Sequence, residues 1–182
     1  MAETREQYEQ VYAHTYADLV RFVIRRGHPP DQAEDLAAEA FTVAWQRLSD
    51  LPGELGEARA WLFGITRHLL LAQRRSDSRG QALSVRIAGQ AALDGQTLEH
   101  DDLVATSVDL ANAWARLSAP HQEALSLSVW EGLTGAQAAR VLGISPVAFR
   151  IRLSRARGLL RHHLGTPSDA AAPTARSEKG FV

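Results

Sequence analysis

The sequence predicts an all-α fold of two small helical domains joined by a flexible linker. Three observations lead there. Alanine, leucine and arginine dominate, and strand-like alternation is hard to find. Several stretches place apolar residues three and four apart, the helical period. The stretch from Leu133 to Leu164 spells two capped helices around a short turn.

Taken in order, the first helix spans about 6–26 and is closed by Gly27 ahead of Pro29-Pro30, with Tyr12, Tyr16, Leu19, Val20 and Val23 spaced as a buried stripe. Asp31 and Glu34 fit a capping arrangement for a second helix to about Leu48. Leu36, Ala40, Val43, Ala44 and either Phe41 or Trp45 would pack inward, leaving Asp35, Glu39, Thr42 and Gln46 on another face. Ser49 to Gly56, with Pro52, Gly53 and Gly56, reads as a loop. The third helix, about 57–75, has a core stripe of Ala58, Trp61, Leu62, Ile65, Leu69 and Ala72. Its other side carries Arg67 and Arg74 beside Phe63 and Leu71. Apolar groups interleaved with arginine on an outward face point to a partner. Arg74 and Arg75 also suit the helix C-terminus, where positive charge meets the dipole.

From Ser76 the composition turns to glycine, serine, glutamine and alanine with scattered large apolar residues; Leu83, Val85, Ile87 and Leu93 suit at most a marginal helix, and a flexible linker is expected over 76–103. A helix over about 104–117 would turn Leu110, Trp114 and Leu117 inward. Ser118 and Pro120 open another, stopped by Gly132. Then comes the helix–turn–helix. Thr134 and Gln137 form a capping box, Gly143 ends the first helix, and Ser145-Pro146 start the second. On the second helix Phe149, Leu153, Ala156 and Leu160 share one stripe, while Arg150, Arg157 and Arg161 lie on one flank. From Ser145 to Leu164 there is no carboxylate. Bare guanidinium groups on a packed helix suit a DNA major groove, because arginine meets both phosphates and guanine edges; a solvated basic face is the plainer alternative. Residues 165–182 offer little to bury and are expected to be a disordered tail.

Composition narrows the function. The chain has 182 residues, a formal net charge of −1 and no cysteine. Positive charge for nucleic acid must therefore be local, disulfides and cysteine-ligated metals are excluded, and a reducing cytoplasm fits. The opening MAETREQYEQ has no apolar signal core, and no run of about 18 apolar residues suggests membrane insertion. The seven histidines are scattered, and neither a phosphate-binding glycine loop nor a nucleophile arrangement is present, so no metal, cofactor or catalytic residue is expected and the chain does not read as an enzyme.

Two blocks resemble bacterial sigma factors of the sigma-70 family, most nearly the extracytoplasmic-function (ECF) type. The first is Asp35 to Phe41 with Ala44-Trp45 and Ala60 to His68; the second is Leu117 to Pro120, Trp130 to Thr134, Leu142 to Ser145 and Arg152 to Arg157. The resemblance implies a region 2-like domain (1–75), the linker (76–103), a region 4-like helix–turn–helix domain (104–164) and the tail. It implies a transcription initiation factor that binds core RNA polymerase, directs it to promoter DNA and assists melting, with an anti-sigma factor as a further partner. By residue, it assigns polymerase binding to Asp35, Glu39, Thr42 and Gln46. It assigns the melted minus-ten strand to Trp61, Arg67, His68, Arg74 and Arg75, where a flipped base must be compensated by stacking and cations. The minus-thirty-five duplex falls to Ser145, Val147, Arg150, Ile151, Arg152, Ser154, Arg155 and Arg157. A helix–turn–helix regulator acting without polymerase would leave the first domain unexplained. A purely helical adaptor would lack the steep salt dependence of phosphate binding.

Overall fold

The computed structural model describes the backbone of residues 2–76, Val85 and 101–165, and the side chains of 5–74, Val85 and 108–165. The expected tail and most of the expected linker, including Leu83, Ile87 and Leu93, lie outside these residues. Seven α-helices and no strand occur among the described residues: α1 (Ala2–Ile24), α2 (Pro30–Gln46), α3 (Leu55–Ser76), α4 (Asp101–Ala115), α5 (Ala119–Val129), α6 (Gly135–Leu142) and α7 (Pro146–Gly165). A 3-10 turn, Leu48–Asp50, straddles the expected end of the second helix and the start of the expected loop, and α2 itself stops at Gln46.

Helices α1 to α3 pack around Val11, Leu19, Phe22, Leu36, Phe41, Leu62 and Leu70. Tyr12 departs from the expected stripe. It is 44% exposed and stacks on Tyr16 at 5.2 Å, while Val11 and Thr15 take the buried positions. In α2 the expected Asp31 cap is not made. The helix begins at Pro30 with Pro29 as N-cap and no side-chain capping bond. Two consecutive prolines fix the entry backbone and lack N–H groups, so an Asx cap gains little. Phe41 is the inward aromatic; Trp45 is 49% exposed and meets the edge of Tyr8 at 5.0 Å.

Helix α3 corrects the sequence reading most. Phe63, expected outward, is fully buried, as is Leu70, whereas Ala72 is exposed and Trp61 only half-buried. The reason is that α3 is covered on both sides, by α1 and α2 and by α6. A helix between two layers has no single apolar stripe.

The C-terminal half follows its local signals. Thr134 Oγ1 accepts from the Gln137 N–H and the Gln137 side chain accepts from the Thr134 N–H, closing the capping box. Gly143 adopts φ 67°, a left-handed conformation that penalises any Cβ. Ser145 Oγ accepts from the Ala148 N–H at 3.1 Å, capping α7. Phe149 and Ala156 are buried, with Leu153 and Leu160 beside them. One apolar cluster runs from Val11 through α3 to Leu127, Leu133, Ala138 and Phe149, so the two halves share a core. For domains this small, such sharing supplies burial that neither has alone.

Candidate nucleic-acid interface

On α7 the buried Phe149 and Ala156 aim the opposite face outward. Val147 is 54% and Ile151 46% exposed, and Ser145, Arg150, Ser154, Arg155 and Arg157 are exposed with them; Arg152 is partly covered. Two apolar side chains beside three exposed guanidiniums make a surface able to meet base edges, thymine methyls and phosphates together. Asp35, Glu39, Thr42 and Gln46 on α2 are all exposed, although the Thr42 hydroxyl donates to Ala38 O at 2.9 Å.

The third group is placed differently. Arg67 does not face solvent. Its guanidinium donates through Nε and Nη2 to Glu123 Oε1 and Oε2 of α5 at 2.9 and 3.1 Å. Trp61 is half-buried, with the Arg47 guanidinium 5.6 Å from its ring centre. Trp61 and the exposed His68 line a cavity of ≈ 660 Å³ that Val43 of α2 and Arg140 and Val141 of α6 complete. Arg74 is partly covered, and the Arg75 side chain lies outside the described residues. Of the apolar-and-arginine face of α3, Arg67 thus has its partner in the C-terminal half of the same chain, while Phe63 packs on Phe22 of α1.

The groups that join the halves escaped sequence reasoning. Arg25, at the end of α1, donates through Nη2 to both Glu131 oxygens at 2.8 Å, and the two side chains are 4% and 1% exposed. Arg59 donates to Asp18 Oδ2 at 2.8 Å and to the Glu131 carbonyl at 2.5 Å. Glu57 pairs with Arg140 and accepts from Gln137 Nε2 at 3.0 Å. Burial pushes the Glu131 carboxyl above its ordinary range, opposed by Arg25 and Arg26. Burial pushes Arg26 down to about 10, opposed by Glu123 and Glu131. Arg26 lies 3.4 Å from the centre of the Phe22 ring and donates to Phe22 O. These partners are separated by up to 106 residues, so no local pattern announces them.

Sequence comparison matches residues 11–80 to Sigma-70 region 2 and residues 107–160 to Sigma-70, region 4. The ECF RNA polymerase sigma factor SigL of Mycobacterium tuberculosis is 32% identical over 83% of this chain and 85% of its own length. This chain belongs to the ECF sigma factors. The sigma factor YlaC of Bacillus subtilis is 26% identical over 88% of this chain and 93% of its own. Among solved structures, the sigma factor RpoE of Bartonella quintana, in complex with the anti-sigma factor NepR, matches with TM-score 0.61 at 26% identity, covering 90% of this chain and 99% of that one. CnrH in complex with the cytosolic domain of CnrY matches with TM-score 0.57 at 26% identity, covering 90% and 91%. As an ECF sigma factor the chain gives core RNA polymerase its promoter specificity at transcription initiation. No described helix is long and apolar enough to cross a membrane.

Proposed function

We propose that the two halves divide promoter recognition. The domain at 1–75 takes the melted minus-ten strand with Trp61, Arg67, His68, Arg74 and Arg75 and meets the polymerase through Asp35, Glu39, Thr42 and Gln46. The domain at 104–164 reads the minus-thirty-five duplex with α7, from Ser145 to Arg157. The observation that carries this reading is α7 itself, whose Phe149 and Ala156 are buried while Arg150, Arg155 and Arg157 stand exposed beside Val147 and Ile151. The factor does no covalent chemistry, needs no cofactor and works in the cytoplasm. An anti-sigma factor is a partner by likeness to the two solved complexes.

The closed arrangement bears directly on this reading. Glu123 offers Arg67 two carboxylate oxygens, as a phosphate would, so Arg67 reaches a DNA strand only after the halves part. Polymerase and promoter binding must therefore supply the energy of separation, and only the surplus appears as affinity.

Arg150→Ala tests the duplex-reading face. Its holoenzyme should bind the DNA upstream of the chain's own gene about 5- to 150-fold more weakly, equivalent to about 1–3 kcal/mol. The loss should fall on one base position across a substituted promoter series. Unchanged binding in that titration removes Arg150 from the site.

A further inference from the structure

Val85 is buried on the C-terminal half, between α3 and α4 in sequence and packed on α4, α5 and α7. Its side chain is 2% exposed and sits with Trp114, Leu117, Leu125 and Ala156. Both its backbone groups are taken by side chains. The Val85 N–H donates to Gln122 Oε1 at 2.9 Å, and Val85 O accepts from Trp114 Nε1 at 2.6 Å. Gln122 is itself held, since its Nε2 donates to Trp114 O and Leu117 O at 3.0 and 3.2 Å. Gln122 and Trp114 are each 6% exposed. This is a built slot: an aliphatic socket with one acceptor and one donor spaced to grip the two polar groups of a single peptide residue.

We infer that this slot is an intramolecular anchor for the segment between the domains, and that it shortens the tether joining them. Val85 lies nine residues past the end of α3, whereas α4 begins twenty-five residues past it. Anchored, the segment reaches at most about 30 Å; released, it reaches about 85 Å. Effective concentration falls as about the −3/2 power of tether length, so anchoring at Val85 raises the concentration of one domain at the other about fivefold. The anchor therefore works with the Arg25–Glu131 and Arg67–Glu123 pairs to favour the closed form. Its release lengthens the reach needed to span elements about 85 Å apart on B-DNA, a last step that rests on the promoter reading proposed above.

The full-length chain, without polymerase or DNA, tests the anchor, so its failure is separable from failure of that reading. The sequence has no cysteine, so fluorophores can be placed at Gln10→Cys and Leu159→Cys, in an Arg140→Ala background that loosens one interdomain pair. Ten Gly/Ser residues inserted between Gly80 and Gln81 should raise the ratio of open to closed molecules about threefold, and Val85→Asp about fivefold. The same insertion between Gly95 and Gln96 should leave the ratio unchanged. Equal gains from the two insertions overturn the anchor. Independently, the Trp114 indole proton should exchange with water at least tenfold more slowly in the unmodified chain than in Val85→Asp; equal exchange rates also overturn it.

Discussion

Glu131→Ala is expected to open the molecule while leaving its helices formed. In the closed form the carboxylate lies against Arg25, with Arg26 fully buried nearby and Ser126 Oγ 3.4 Å from Oε1. Deleting it leaves two guanidiniums in a site closed to water, a change that costs about 3–5 kcal/mol when one partner of a buried pair is lost. The chain has an exit that a single-domain protein lacks. Parting the halves returns Arg25 to water, so the cost appears as separation before it appears as unfolding. Small-angle scattering should show a larger radius of gyration with far-UV helicity retained. The double substitution Arg25→Met with Glu131→Leu should restore most of the compactness, because an apolar pair of similar volume replaces the ion pair and the remaining buried Arg26 still faces Glu123. A Glu131→Ala protein as compact as the original would show that this pair does not hold the halves together.

Phe149→Ala should produce the other large effect. Phe149 is 1% exposed, and its ring lies where a Cβ on Gly135 would meet it at 3.7 Å, so it fastens α7 to the start of α6. The ring also joins the cluster shared by both halves. Removing it costs about 3–5 kcal/mol, the transfer term plus the cavity left behind. Denaturant unfolding should show this loss, and duplex affinity should fall with it, because the exposed arginines of α7 are aimed by that contact. Phe149→Leu, which keeps most of the volume, should cost well under half as much. Equal stability for Phe149→Ala would mean that α7 is held by Ala156 and its neighbours alone.

These two sites lie at opposite ends of what sequence reveals. The helix–turn–helix was legible because its signals are local. Thr134 and Gln137 are three residues apart, Gly143 and Ser145 bracket the turn, and the spacing of Phe149 and Ala156 fixes which face is buried. The exposed arginines follow from that face. Helix α3 was legible as a helix but not in its surroundings. Arg67 signalled a partner, yet nothing in the sequence says that the partner is Glu123 of α5 in the same chain, and Phe63 turns inward onto Phe22 of α1 instead of outward. Arg25 and Glu131 read as ordinary charged residues at helix ends, since burial of a charge is decided by tertiary packing. The Asp31 cap failed for a related reason: a recognised local signal lost to the stronger constraint of Pro29-Pro30. Val85 carried no sign of its two side-chain partners, 29 and 37 residues away.

The proposed division of promoter recognition requires this chain to load onto RNA polymerase and open promoters with its two halves apart. The most direct measurement mixes the purified chain with sigma-free core polymerase and follows both the complex and the transcript from the DNA upstream of its own gene. A stable complex that initiates at one defined start, and that places fluorophores at Gln10→Cys and Leu159→Cys farther apart than in the free chain, is the predicted result. A chain that forms no complex with core polymerase when anti-sigma protein is absent contradicts the account.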